Sequence, residues 1–182
     1  MILPGFRRRS QGRTIRALYG TIVAQARSAT FYAAYGVPDT VAGRFDLIVL
    51  HLVLLLRRLD GENDLKRGLG QELFDEFCRD LDANLREMGV GDLAVPKQMQ
   101  NFAEAFYGRQ AAYLAALAAA DERDFEQALA RNIFHIGNDD GAARLASYAR
   151  AAVRELDAQD DDALSRGEVV FPGPEAFIQE QA

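Results

Sequence analysis

Apolar side chains recur three and four positions apart along most of the chain, which is the spacing of one face of an α-helix. The first such segment predicts a helix over residues 11–34 that ends at Gly36 and Pro38. Its apolar positions are Ile15, Leu18, Tyr19, Ile22, Val23 and Ala26. A second helix is predicted over residues 40–59, and the uninterrupted apolar stretch inside it, residues 47–56, marks it as the central helix of the fold.

The middle of the chain continues this pattern after a predicted loop over residues 61–70. A third helix carries one apolar stripe, made of Leu69, Leu73, Phe74, Phe77, Leu81, Leu85 and Met88. The turn at residues 89–92 is predicted to end this helix. Asp92 is then expected to cap a fourth helix, which accommodates Pro96 in its first turn and reaches about Ala119.

Two more helices are predicted in the last third of the chain. The fifth begins at Asp121 or Asp124 and ends at Gly137, and the sixth begins at Asn138 or Asp139. Their apolar positions are Phe125, Leu129, Ile133 and Phe134, then Leu145, Tyr148, Ala152, Val153 and Leu156. We find no segment that alternates apolar and polar residues as a strand would.

These segments predict an all-α, single-domain bundle of about six helices with an extended C-terminal tail. A basic, flexible N-terminal arm over residues 1–10 is expected to precede the helical domain, residues 11–158. The tail, residues 159–182, is acidic at first. It then contains Val169-Val170-Phe171-Pro172-Gly173-Pro174, a run that is expected to lie extended on some surface.

The composition is that of an ordinary globular protein, with 49% hydrophobic and 26% charged residues. The longest apolar stretch is much shorter than the about 20 residues that cross a bilayer, so it predicts a buried core helix. Residues 1–6 are too short for the apolar part of a secretory signal, and we expect a cytoplasmic protein. The single cysteine, Cys78, is expected to be an inert thiol.

Positive charge is concentrated at the start of the chain. The net charge is −6, yet residues 1–16 contain no acidic residue. The same segment contains Arg7, Arg8, Arg9, Arg13 and Arg16. Three interpretations are open: a disordered start that adds solubility, a contact with ribosomal RNA, or a contact with anionic lipid on the cytoplasmic face of the inner membrane. The acidic remainder repels nucleic acid, so no DNA partner is expected.

The sequence contains no readable catalytic or metal-binding motif. His51 and His135 have no Cys or Glu at ligand spacing, so no metal site is expected. His51 is either a core histidine bonded to a neighbouring helix or a ligand to haem or another cofactor. Residues 89–94 fit the dinucleotide pattern GxGxxA, but they follow a helix where that pattern requires a strand, and they predict a turn.

Two aspartate pairs have the DxxxD spacing with which helical isoprenoid synthases hold magnesium diphosphate. They are Asp60 with Asp64 and Asp157 with Asp161. Such spacings arise by chance in a chain with 27 acidic residues, and both pairs fall in predicted loops. We therefore expect no enzymatic activity and no cofactor.

Two turns carry polar and aromatic residues beyond those that packing of the bundle explains. The first turn contributes Phe31, Tyr32, Tyr35, Asp39, Arg44 and Asp46. The second contributes Arg86, Met88, Asp92, Lys97, Phe106, Tyr107, Gly108 and Arg109. Met, Tyr and Arg are enriched where proteins meet, because each combines a large contact area with adaptable or polar chemistry. Either these residues bind a partner protein, or the aromatics belong to the core and the charges form caps and local pairs.

The segments around the two turns resemble a known protein family. They are Leu18-Tyr19-Gly20-Thr21-Ile22-Val23-Ala24-Gln25-Ala26-Arg27, Phe31-Tyr32, Gly36-Val37-Pro38-Asp39-Thr40, Gly43-Arg44-Phe45-Asp46, Leu85-Arg86-Glu87-Met88-Gly89-Val90-Gly91-Asp92 and Ala105-Phe106-Tyr107-Gly108-Arg109. Together they resemble the ubiquinol-cytochrome c chaperone family. The similarity is strong from Ala17 to Tyr113, and the order of several motifs makes it more specific than any single pattern.

The resemblance implies a chaperone without enzymatic activity, which helps newly made cytochrome b reach the respiratory complex that oxidises ubiquinol. Mitochondrial members act with a small partner chaperone subunit near the ribosomal tunnel exit. Our hypothesis is that a groove between helices, rimmed by the two turns, holds an apolar segment of this client. The alternative is a helical module that binds haem, quinone or an isoprenoid chain beside His51.

Overall fold

The structure is a computed structural model that describes residues 4–61, 63–134 and 139–178, with side chains for residues 11–61, 63–134 and 140–178. Every regular element in these ranges is helical, which confirms the predicted all-α fold. The helices are α1 (Pro4–Ala26), α2 (Ala29–Ala33), α3 (Val41–Leu59), α4 (Asp64–Glu87), α5 (Val95–Ala118), α6 (Glu122–Leu129), α7 (Asp139–Ala158) and α8 (Asp161–Arg166). A π-helical turn, Ala130–Phe134, extends α6, and a 3-10 turn, Pro174–Phe177, follows α8.

Helix α3 is the centre of the bundle, as its apolar sequence predicts. It packs against α1, α4, α5 and α7, and nearly every residue from Leu47 to Leu55 is fully buried. Thr40 caps its start, because the Thr40 hydroxyl accepts a hydrogen bond from the amide of Gly43 at 3.1 Å. In the described ranges, no helix is both long and apolar enough to cross a membrane.

Gly43 allows the loop before α3 to pack against the first turn of that helix. A Cβ atom at this position would lie 2.0 Å from the carbonyl oxygen of Pro38, a separation that real Cβ atoms do not show. Any side chain here would force the loop away from the helix. The turn that carries Asp39 and Arg44 therefore depends on this glycine.

The predicted first helix is wrong at both ends and in its continuity. Helix α1 begins at Pro4, earlier than the predicted Gln11, and it ends at Ala26 because Ser28 adopts a non-helical conformation. The hydroxyl of Tyr32 donates a hydrogen bond to the carbonyl of Ala26, the last residue of α1, at 2.6 Å. The separate short helix α2 then places its aromatic side chains differently from a straight continuation of α1.

Seven of the ten residues of the predicted loop at 61–70 are helical, so most of this prediction is wrong. Helix α4 begins at Asp64, because the side chain of Asn63 accepts a hydrogen bond from the amide of Leu65. A Cβ atom on Gly70 would make ordinary contacts with α3, so the packing there does not require glycine. The predicted turn at residues 89–92 is confirmed: Gly89 has a left-handed φ of 82° between α4 and α5.

Of the two predicted helix caps, Asp92 is wrong and Asp121 is confirmed. Asp92 does not cap α5, whose preceding residue is Ala94 and has no capping side chain. Asp92 instead pairs with Arg86 across the turn. Asp121 caps α6 by accepting a hydrogen bond from the amide of Arg123 at 2.9 Å.

Helix α7 begins at Asp139, one of the two predicted starts. Its predicted apolar residues Leu145, Tyr148, Ala152 and Leu156 are buried. Gly137, Asn138 and His135, named in the sequence analysis, lie outside the described residues.

The C-terminal segment packs into the bundle. It first forms α8 and then runs extended from Glu168 to Gly173, with Val169 and Phe171 buried. Backbone carbonyls of its prolines accept hydrogen bonds from α1 and from the residues that follow α2: Gln25 donates to Pro172 at 2.9 Å and Tyr35 to Pro174 at 2.7 Å. The extended run is therefore part of the core on one side of α3.

Candidate functional site

An open groove of about 680 Å³ lies between α1, α3, α4 and α5. We call it the apolar groove. It is lined by Tyr19, Arg27, Val41, Ala42, Arg44, Phe45, Asp46, Ile48, Phe77, Asp80, Leu81, Asn84, Leu85, Met88, Phe102, Ala105 and Arg109. The first half of α3 and the second half of α4 form its long walls, so the loops that precede α3 and follow α4 both lie at its edge.

Aromatic rings from three helices form the apolar surface of the groove. Phe45 on α3 stacks against Phe77 on α4 at 5.9 Å between centroids and contacts Phe102 on α5 at 5.3 Å. Ile48 and Leu81 are half-buried beside them. Phe45, Phe102, Ile48 and Leu81 remain partly accessible because no other part of the described chain packs over them, and they can bury the apolar surface of another molecule.

Two apolar side chains at the edge of the groove are largely exposed. Val41 is 74% exposed at the start of α3, and Met88 is 70% exposed at the end of α4. Leu93, in the turn after Met88, is 99% exposed. Exposed apolar side chains beside an apolar concavity are typical of a surface that binds another protein.

A buried ion pair connects two walls of the groove. Arg109 on α5 lies 2.9 Å from the carboxylate of Asp46 on α3, and the Asp46 side chain is only 4% exposed. A buried carboxylate requires such a partner, because an unpaired charge away from water is costly. The pair holds α5 against α3 at the level where the aromatic rings meet.

Arginine side chains gather at the end of the groove that is formed by α1 and the start of α3. Arg44 pairs with Asp39 at 2.7 Å, and its guanidinium carbon lies 5.5 Å from the ring centre of Tyr32. Burial raises the pKa of Tyr32, whereas the charges of Arg44 and Arg27 both lower it. Both arginines therefore lie close to the Tyr32 hydroxyl, at the same end of the groove.

On the opposite wall, the carboxylate of Asp80 already accepts a hydrogen bond within the protein. Tyr19 on α1 donates a hydrogen bond to Asp80 on α4 at 2.8 Å. Burial and this hydrogen bond to Asp80 hold the pKa of Tyr19 well above its usual value. The bond ties α1 to α4 and fixes the width of the groove on that side.

Four of the thirteen residues predicted to bind a partner line the groove: Arg44, Asp46, Met88 and Arg109. Residues from both predicted turns therefore line one groove in the structure. Asp46 and Arg109 lie 63 positions apart in the sequence and meet as an ion pair.

Three other predicted residues are buried in the core. Phe31 is fully buried and packs edge-on against Tyr35 at 5.3 Å and Tyr148 at 4.9 Å. Tyr35 is 1% exposed and Phe106 is 2% exposed. For these aromatics the structure favours the packing interpretation.

The remaining predicted residues lie on the surface or at another cavity. Tyr107 lines a smaller cavity of about 370 Å³ between α3, α4 and α5, apart from the apolar groove. Arg86 pairs with Asp82 and Asp92 on the exposed end of α4. Lys97 is exposed, and Gly108 lies within an unbroken α5.

Sequence reasoning missed most of the groove's apolar lining. Phe77, Leu81 and Leu85 were predicted as one buried stripe, and Phe45 and Phe102 were not singled out. The signal that could have found them is an aromatic residue in the first half of each of two helices, Phe45 on α3 and Phe102 on α5. Such residues are buried only if a neighbouring loop covers them.

His51 lies in a closed cluster on the other side of α3. Its Nδ1 atom is 2.7 Å from the Leu47 carbonyl, so Nδ1 donates and Nε2 accepts from the Tyr148 hydroxyl at 2.8 Å. Burial lowers the pKa of His51 to about 4. The prediction of a core histidine bonded to a neighbouring helix is confirmed, and neither ring nitrogen is left to ligate a haem.

Three of the four aspartates with DxxxD spacing, Asp64, Asp157 and Asp161, are paired with basic side chains. Asp157 forms two hydrogen bonds of 2.9 Å with Arg57, and this contact lowers its pKa. Asp161 binds Lys66 and Arg58, which lower its pKa. In the ranges described, no group of three or more potential metal ligands comes together.

The structure also describes the environment of the single cysteine and of two of the N-terminal arginines. Cys78 is half-buried, and burial raises the pKa of its thiol, which disfavours the reactive thiolate. Arg13 and Arg16 are exposed on α1. The side chains of Arg7, Arg8 and Arg9 lie outside those that the structure describes.

Comparison with known proteins confirms the family resemblance that the sequence motifs indicate. Residues 33–171 match the ubiquinol-cytochrome C chaperone family. The fold is similar to the crystal structure of the Cbp3 homolog from Brucella abortus, with a TM-score of 0.87, 40% sequence identity, and coverage of 96% of this chain and 98% of that chain. No curated protein sequence matches. The chain therefore belongs to the ubiquinol-cytochrome c chaperone family.

Proposed function

We propose that this protein is a non-enzymatic assembly chaperone that binds newly made cytochrome b during biogenesis of the ubiquinol-cytochrome c reductase complex. The apolar groove holds one apolar segment of this client until the segment inserts into the membrane or receives its cofactor. The observation that carries the proposal is the groove itself, open and lined by Phe45, Phe77 and Phe102 in a chain of this family.

The physical basis is the shielding of apolar surface from water. A membrane protein segment that has not reached the bilayer exposes apolar side chains, and burying them releases about 25 cal/mol per Å². Helices of this kind recur as ligands of apolar grooves between helices. The exposed Val41 and Met88 at the edge extend the contact beyond the concavity.

Among the predicted binding residues, we assign direct roles to those that line the groove. Met88 and Arg44 are exposed and can touch the client. Asp46 and Arg109 act by holding α3 and α5 at the distance that keeps the groove open. The roles predicted for Tyr107, Lys97 and the others stay predictions.

A charge placed on the edge of the groove tests the proposal. The double substitution Val41→Glu and Met88→Glu puts two carboxylates beside the apolar lining without disturbing the core. We expect recovery of cytochrome b with the tagged protein to fall at least tenfold, and assembly of the reductase to fall with it.

A matched control is Leu65→Glu on the first turn of α4, where the side chain is 57% exposed and outside the groove. It should leave recovery of cytochrome b unchanged. If the double variant, folded by circular dichroism, recovered as much cytochrome b as the parent, the groove would not be the client site.

We further propose that α1 guides the protein to the ribosome or to the anionic cytoplasmic face of the membrane. Arg13 and Arg16 are exposed on this helix and form no ion pair in the described part of the chain. Near an anionic surface each contributes about 1 kcal/mol. Co-sedimentation of the Arg13→Gln, Arg16→Gln variant with ribosomes and with liposomes separates the two surfaces, and copurification identifies any small partner subunit.

A further inference from the structure

The charges that line the apolar groove differ from those of the protein as a whole. The chain has a net charge of −6, yet the groove is lined by three arginines and two aspartates. Asp46 is neutralised by Arg109, and Asp80 accepts the hydrogen bond of Tyr19. The lining thus contains one more cationic than anionic side chain.

Arg27 is the unpaired cation of this lining. It is exposed at the end of α1, and its guanidinium makes no ion pair or hydrogen bond with another side chain in the ranges that the structure describes. Arg44, at the same end, is already paired with Asp39. A free guanidinium beside an apolar surface is placed to bind a carboxylate on the molecule that covers this surface.

The size of the groove limits what can bind there. An α-helix with its side chains is about 10–12 Å across and rises 1.5 Å per residue, so about 680 Å³ accommodates about five residues. The groove can therefore take one to two turns of a longer helix, with a charged residue next to Arg27 at one end.

We propose that the apolar groove recognises an apolar helical segment of a client protein that carries a carboxylate at one end, and that Arg27 binds this carboxylate. This inference rests on the proposed function, which supplies the apolar client. It adds that the groove selects among apolar helices by charge: an acidic residue at the end favours binding, and a basic residue there disfavours it.

The test uses two synthetic peptides of about 20 residues, long enough to form helix, made of Leu, Ala and Gln. They are identical except for Glu or Gln in the last turn. With the full-length protein, we expect the Glu peptide to bind about two- to fivefold more tightly than the Gln peptide, the range expected of an exposed ion pair. Arg27→Gln should remove the difference, and Arg27→Glu should favour a third peptide with Lys at that position.

The control variant is Arg79→Gln, because Arg79 is exposed on α4 and pairs with Glu76 outside the groove. It should preserve the preference for the Glu peptide. Equal binding of the Glu and Gln peptides to the parent would overturn the inference and leave the proposed function standing. Failure of both peptides to bind would count against the proposed function, and binding of laurate without either peptide would make the groove a lipid site and overturn both.

Discussion

The two sides of α3 carry similar chemistry but differ in what covers them. On one side, His51 lies among Phe31, Tyr148 and Phe171, and the C-terminal segment seals the cluster. On the other side, Asp46 lies beside Phe45, and no described segment covers the groove. Both sides have a polar group among aromatic rings, so the covering segment is what distinguishes the closed cluster from the open groove.

The largest change in stability that this comparison predicts is at Phe31. It belongs to the closed side, and its ring is fully buried against Tyr35, His51 and Tyr148. We expect Phe31→Ala to lower the free energy of unfolding by about 3–5 kcal/mol, because it removes a large buried ring and leaves a cavity. Urea unfolding measures this change. A loss below about 1 kcal/mol would mean that the ring lies at a surface, as its motif first suggested.

Proton binding distinguishes the closed side in a second way. The pKa of His51 is about 4 in the folded protein and about 6.5 when the chain unfolds. Between these values the unfolded chain binds a proton that the folded one does not, so stability falls as the pH is lowered from 6.5 toward 4. The full effect is on the order of 3 kcal/mol.

The measurement is urea unfolding between about pH 7 and pH 5, above the usual range in which carboxylates titrate. We expect the parent to lose stability over this interval and His51→Gln to lose much less. Both proteins retain His135, so the difference between their slopes reports His51 alone. Equal slopes for the two proteins would show that His51 is accessible to protons in the folded state.

Sequence patterns predicted the helices better than the burial of individual residues. Phe31 and Val41 flank the same turn and are both apolar, yet Phe31 is fully buried and Val41 is 74% exposed. A helix is specified by local spacing, because each turn presents one face. Burial depends on contacts such as that between Phe31 and Tyr148, which lie more than a hundred positions apart.

The same reasoning explains what the sequence could tell about the candidate site. The two motif turns predicted a shared groove, because both flank helices that must pack together. No glycine or proline marks the break between α1 and α2. The extended run, residues 168–173, and the proline after it are held against the bundle by hydrogen bonds from Gln25 to Pro172 and from Tyr35 to Pro174. Local propensity predicts that this proline-containing run is extended, but it predicts neither the break after α1 nor the burial of the run against the bundle.

The ion pair on the open side should have an intermediate effect. Arg109→Met leaves the Asp46 carboxylate buried without its guanidinium partner, and we expect a loss of about 2 kcal/mol, less than for a fully buried pair because Arg109 is 19% exposed. Adding Asp46→Asn should recover part of this loss. Urea unfolding of the two single variants and the double variant gives the coupling energy. A coupling near zero would show that the two groups do not depend on each other.

Met88 completes the comparison with the smallest expected effect on folding. Its side chain is 70% exposed at the edge of the groove, so Met88→Ser should change the free energy of unfolding by no more than about 0.5 kcal/mol. Client affinity should nevertheless fall about fivefold, or about 1 kcal/mol, since the bound segment loses an apolar contact. Leu65→Ser is the matched control, exposed on the same helix and outside the groove. A change at Met88 should therefore weaken client binding without lowering stability. At Phe31, in contrast, any loss of binding should follow from loss of the folded state.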